Sequence, residues 1–129
     1  MVNTNLEFYL QTRALFPNLA ELADKEYVRC WGNPSDTDPY SYSWFESVAN
    51  ALNKEMCRGL FRAENEEFFN YVSSVLLQCG DEVANCIDVA LVENLFWRVS
   101  PEKAAPYWTI LPPPLQKLYL GFHSQPPTS

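Results

Sequence analysis

Two carboxylates, Asp36 and Asp38, stand among four large aromatics: Trp31, Tyr40, Tyr42 and Trp44. Tyr and Trp suit a surface that is wet when free and apolar when bound, and they dominate binding hot spots. Aspartates beside them would steer and pair with a basic partner. The competing reading folds the aromatics back as a lid over the core and leaves the aspartates as turn caps. Asp36-Thr37-Asp38 also spells the Asp-x-Asp of metal-dependent sugar-nucleotide enzymes, but no strand precedes it. A second acidic group, Glu64, Glu66 and Glu67, could act as acid and base or hold a divalent cation. It also falls where a helix begins, where negative charge is favourable without any further role. Asp88 lies between Ala84, Leu91 and Leu95 on a helical wheel, so a bond to a Tyr, Trp or Arg inside the fold is expected for it.

Other chemistry finds no support. The one histidine, His123, reads as an ordinary surface residue. Ser73, Ser74 and Thr109 have no Gly-x-Ser-x-Gly elbow or suitably spaced histidine. No Glu-x-x-His pair, glycine-rich phosphate loop or Walker sequence occurs. Cys30, Cys57, Cys79 and Cys86 form no CxxC pair and read as free thiols of a cytoplasmic protein. No catalytic residue, cofactor or metal is therefore expected. With 9 basic and 16 acidic residues, the net charge of −7 disfavours nucleic acid and anionic membranes. Lys54, Arg58 and Arg62 form the only basic stripe, too small for a nucleic-acid footprint. Nothing in the first residues resembles a signal peptide, and no run of 18 apolar residues occurs.

These residues need helices to place them. Thr4 with Glu7 makes a capping box for a helix to about Phe16, and Asn18 with Glu21 repeats the signature for one to about Arg29. Trp31–Tyr42 reads as a loop. A third helix runs from Ser43 to about Arg58, and a fourth from about Asn65 to Cys79 carries the cleanest apolar stripe, Phe68, Phe69, Val72, Val75, Leu76 and Cys79. The span Asp81–Val99 is apolar nearly all round and reads as one buried central helix, an antiparallel partner of the fourth across a very short joint. Ser100-Pro101 opens a short sixth helix, and Pro114 opens a last one ended by Gly121. The expected fold is an all-α compact bundle of six or seven helices around a buried central helix. Residues 1–123 would form a single domain, with 124–129 a flexible tail.

Phe16-Pro17-Asn18-Leu19, Gly80-Asp81-Glu82-Val83-Ala84-Asn85 leading to Val92-Glu93-Asn94-Leu95, and Ile110-Leu111-Pro112-Pro113-Pro114-Leu115-Gln116-Lys117 carry a resemblance over about residues 5 to 120. The chain resembles the DUF7674-like family of small, acidic, helical bacterial proteins of unassigned function. Some proteins of similar size and make-up sit beside polymorphic toxins as immunity proteins. The resemblance implies a helical fold and supplies no catalytic residue to carry over.

The expected function is that of a cytoplasmic, non-enzymatic immunity protein, monomeric or homodimeric, that masks a basic toxin domain. Its partner-binding residues would be Trp31, Asp36, Asp38, Tyr40, Tyr42 and Trp44, with Glu64, Glu66 and Glu67 as rim charges. The alternative is an interaction adaptor, possibly homodimeric, whose partner is not a toxin.

Overall fold

Thr4 opens the first helix as its spacing predicts: its hydroxyl accepts from the Glu7 amide at 3.1 Å, and the Glu7 carboxylate accepts from the Thr4 amide at 3.0 Å. The computed structural model describes residues 2–32 and 42–128, the Trp31 side chain excepted. Within them lie α1 (Asn5–Leu15), α2 (Pro17–Trp31), α3 (Tyr42–Cys57), α4 (Ala63–Gln78), α5 (Asp81–Cys86) running into a π-helical segment (Ile87–Val92), α6 (Pro101–Ile110) and α7 (Pro113–His123). The fold is all-α. No helix is long and apolar enough to cross a membrane, among the described residues.

Two helix starts differ from expectation for one reason. Pro17 occupies the first position of α2, so Asn18 lies inside the helix and caps nothing. Proline lacks an N–H that would be unpaired there anyway, and its fixed φ favours the turn. Pro113 does the same for α7. Gly121 lies within α7, and the helix stops instead at Ser124 in the left-handed region, φ 67°.

α2 lies along α3, and α3 packs in turn against the π segment and α6, while α5 leans on α1. Phe45, Val48, Leu52 and Met56 of α3 meet Phe68, Phe69 and Val72 of α4 and Ile87, Leu91 and Val92 of the π segment in one apolar cluster. Phe8 stacks on Phe45 with ring centroids 4.4 Å apart. Burying each such side chain contributes about 1.5–3 kcal/mol. The joint between α4 and α5 is Cys79 and Gly80.

The largest departure falls at 81–99. The span is buried as expected, but it shares the centre with α3 and is not one α-helix. Past Cys86 the bonds stretch to i→i+5, as in Glu93 N–H to Asp88 C=O at 3.0 Å. The helix then ends in turns over residues 93–98. Asn94 ends it, donating from Nδ2 to the Ala90 carbonyl at 2.8 Å. Phe96 and Arg98 then take φ of 69° and 57°, a region disfavoured for any side chain with a Cβ. Buried Asn53 of α3 holds this turn from both sides: its Nδ2 donates to the Asn94 carbonyl at 2.9 Å, and its Oδ1 accepts the Phe96 amide at 2.7 Å. Phe96 is thereby seated against Trp108 and Tyr119, while Trp97 is turned out to solvent.

Candidate partner-binding groove

The widened segment forms one wall of a groove. Two adjoining depressions, of about 680 and 570 Å³, share Leu76, Asp88 and Leu118 and together run the length of α5 and the π segment. The near wall presents Asp81, Glu82, Asn85, Asp88, Val89 and Glu93; the far wall is α7, with Pro114, Lys117, Leu118, Gly121 and Phe122. Leu76 of α4 contributes to both depressions. Its apolar side chains are open to solvent, Phe122 at 60% and Val89 at 39% of their full exposure.

α7 builds the far wall through two parallel series. Leu115 and Tyr119 are buried in the core, while Pro114, Leu118 and Phe122, also four apart, line the groove. A helix packed on one side needs only the first series. In the second series Leu118 still packs on the edge of the core and Phe122 is left in solvent, and this extra four-residue spacing is the signal in the sequence that would have found the groove. His123 fixes the end of α7, with its Nε2 3.0 Å from the Glu93 carbonyl and its ring stacked on Tyr119.

The groove is electronegative: Asp81, Glu82, Asp88 and Glu93 face one lysine, Lys117. Burial pushes the Glu46 carboxyl above its ordinary value, and Glu93 pushes it further. The thiol of Cys86, beneath the wall, is pushed up to about 12 by burial first and then by Glu82 and Glu46. Asp88 is half-buried and its carboxylate has no hydrogen bond or ion pair among the described residues, so the side-chain bond expected inside the fold is not there. Its carboxylate lines the groove on the face that also carries Asp81, Ala84 and Asn85.

The residues singled out from sequence separate into several places. Asp36, Asp38 and Tyr40 lie outside the described residues, and Trp31 is the last residue of α2. Tyr42 lines the groove's end, where its hydroxyl accepts from Asn85 Nδ2. Trp44 is a core residue at 1% exposure and cannot serve a surface patch. Its indole N–H donates to Asp24 Oδ1 at 3.0 Å, and its ring packs edge-on against Tyr9 and Phe45. Arg13 closes that cluster, donating to Asp24 Oδ2 at 2.9 Å and lying over both the Tyr9 and Trp44 rings. The large ring and its partnered N–H suit a buried site as well as an interface, so composition could not separate the two.

Glu64, Glu66 and Glu67 open α4, and Glu64 borders a separate depression with Glu55, Arg62 and Lys25. That depression adjoins the C-terminal end of α3, whereas Tyr42 begins the helix. Sixteen residues at 1.5 Å each put about 24 Å between the two ends. Beside it, the basic stripe is largely consumed in ion pairs: Lys54 and Arg29 hold buried Glu26 at 2.6 and 2.9 Å, and Arg62 holds buried Glu55 at 2.7 Å. No group of three or more His, Cys, Asp or Glu able to hold a metal occurs among the described residues.

The described residues thus form an all-helical domain with a carboxylate-edged apolar groove. Residues 10–125 match the model of a family described as a domain of unknown function, DUF7674, and the chain belongs to that family. No curated protein and no solved structure matches it.

Proposed function

We propose that the chain is a non-enzymatic binding protein of the immunity type, acting in the cytoplasm, that masks a basic toxin domain by taking one of its segments into the groove. The observation that carries this reading is the pairing of an apolar stripe, ending at exposed Phe122, with four carboxylates along one furrow. Such a furrow fits an amphipathic segment with Lys or Arg beside its apolar anchors. The four cysteines, none in a disulfide, accord with a reducing compartment.

The test is affinity capture from the native host with the wild-type chain and with Asp88→Lys/Glu93→Lys and Phe122→Ala bait. A stoichiometric basic protein, toxic when expressed alone, rescued by co-expression and lost with the groove variants, is the expected result. Capture that survives both variants would remove the groove from the reading. A captured partner that is harmless on its own would replace immunity by the adaptor role.

A further inference from the structure

Among the exposed apolar side chains outside the groove, Trp97 stands out because it is presented with backbone strain. Trp97 is 61% exposed between two residues of positive φ, and the Arg98 guanidinium lies over its ring, 4.3 Å from the centroid. Non-glycine residues in the left-handed region persist only where the surroundings over-determine them, and such strain gathers at working sites. Here buried Asn53 supplies the constraint, using both ends of its amide on the turn. The product is a cationic aromatic knob, the residue pair most enriched in binding hot spots. Lys103 adds charge nearby: it donates to the Cys57 carbonyl, and Cys57 Sγ lies 3.8 Å from the Arg98 carbonyl.

The complement of such a knob is an acidic surface with an apolar floor. A chain of net charge −7 repels a nucleic acid, which favours an acidic protein surface. The groove described above is such a surface, and its acidic end at Glu93 lies four residues before Trp97. We propose that two copies of this chain pair about a two-fold axis, each placing Trp97 and Arg98 into the other's groove against Asp88 and Glu93. Because knob and groove adjoin, one rotation exchanges both contacts and closes the assembly at two; a knob at the opposite pole would give open chains instead. The proposal rests on the groove as a docking surface, not on the identity of its other occupant. A basic partner meets the same carboxylates, so partner binding and self-pairing exclude each other.

The test uses the purified chain alone, in sedimentation equilibrium from about 5 to 200 μM at low and high salt, with circular dichroism confirming the fold of each variant. The wild type is expected to pass from monomer to dimer over that range at about 0.05 M salt. At 1 M salt, where screening acts within about 3 Å, it stays monomeric. Trp97→Ala, Arg98→Glu and Asp88→Lys/Glu93→Lys should each weaken pairing at least tenfold. Mixing Arg98→Glu with Asp88→Lys/Glu93→Lys restores attraction at both contacts, and the mixture should dimerise although neither component does. A wild type monomeric throughout, variants that pair as well as wild type, or a mixture that stays monomeric overturns the proposal. Trp97→Ala separates it from the immunity reading: that variant loses self-pairing and keeps partner capture, whereas the groove reversal loses both.

Discussion

Replacing Asn53 by Ala tests whether one side chain holds the turn that ends the central helix. The substitution removes the donor to the Asn94 carbonyl and the acceptor of the Phe96 amide, at 2.9 and 2.7 Å in a site that water barely reaches. Each buried group left unpaired costs about 1–3 kcal/mol, so the loss for the two is about 2–6 kcal/mol. For 129 residues this corresponds to a fall in Tm of about 4 °C per kcal/mol, roughly 8–24 °C. Urea unfolding followed by tryptophan fluorescence gives the free energy, and hydrogen exchange at the Phe96 amide should accelerate in parallel. A second pair isolates the strain: Arg98→Ala and Arg98→Gly both remove the guanidinium, but only glycine relieves φ 57°. The glycine variant should be more stable by about 1 kcal/mol. A loss below about 1 kcal/mol in Asn53→Ala with the Phe96 amide still protected, or equal stability of the two Arg98 variants, would refute the account of a pinned, strained turn.

Trp44→Ala should cost about 3–5 kcal/mol in the same unfolding measurement, as expected for a buried tryptophan; intact stability with reduced partner capture would return Trp44 to the interface. With a disulfide reagent at pH 8, exposed Cys30 and Cys57 should react first, Cys79 more slowly, and Cys86 only after denaturation, because burial and its acidic neighbours hold its pKa at about 12. Burial raises the pKa of Glu26, but the bonds from Lys54 and Arg29 outweigh it and leave the folded value below the ordinary 4.5. Its stabilising contribution is therefore complete above that value and lost as pH falls through the lowered one. Glu26→Gln should be less stable than wild type at pH 7, and the difference should close in acid; a gap that persists at pH 2 would contradict this.

Much of the fold was legible because helix starts and stops have local causes. The Thr4–Glu7 box forms with both of its bonds, and the Cys79–Gly80 joint falls where glycine and two acids announce a new helix. The π segment was not legible. Ile87–Val92 contains neither glycine nor proline, and what ends the helix is Asn94 with Asn53, a residue 41 positions away in sequence. A wheel drawn at α-helical pitch gives the part-buried place of Asp88 beside Ala84, but not where the helix widens and stops. The candidate site was half legible: Tyr42 lines the groove, and Asp88 is part-buried as the wheel suggests but lacks the side-chain partner expected for it. Trp44 went to the core. The stripe Pro114, Leu118 and Phe122 was overlooked because a proline run was read as punctuation rather than as the start of a surface.

The π segment also governs how this chain tolerates changes of length. Its i→i+5 bonds hold one more residue per turn than an α-helix, so deleting one residue between Ile87 and Val92 returns the backbone to ordinary pitch. Val83 and Cys86 before it and Leu95 and Phe96 after it are anchored by other helices and would keep their places. What rotates is the groove wall, where Asp88 and Val89 stand. Loss of either of these two residues would leave the core in register and redraw the recognition surface, so new specificity would be reached by deletion as well as by substitution.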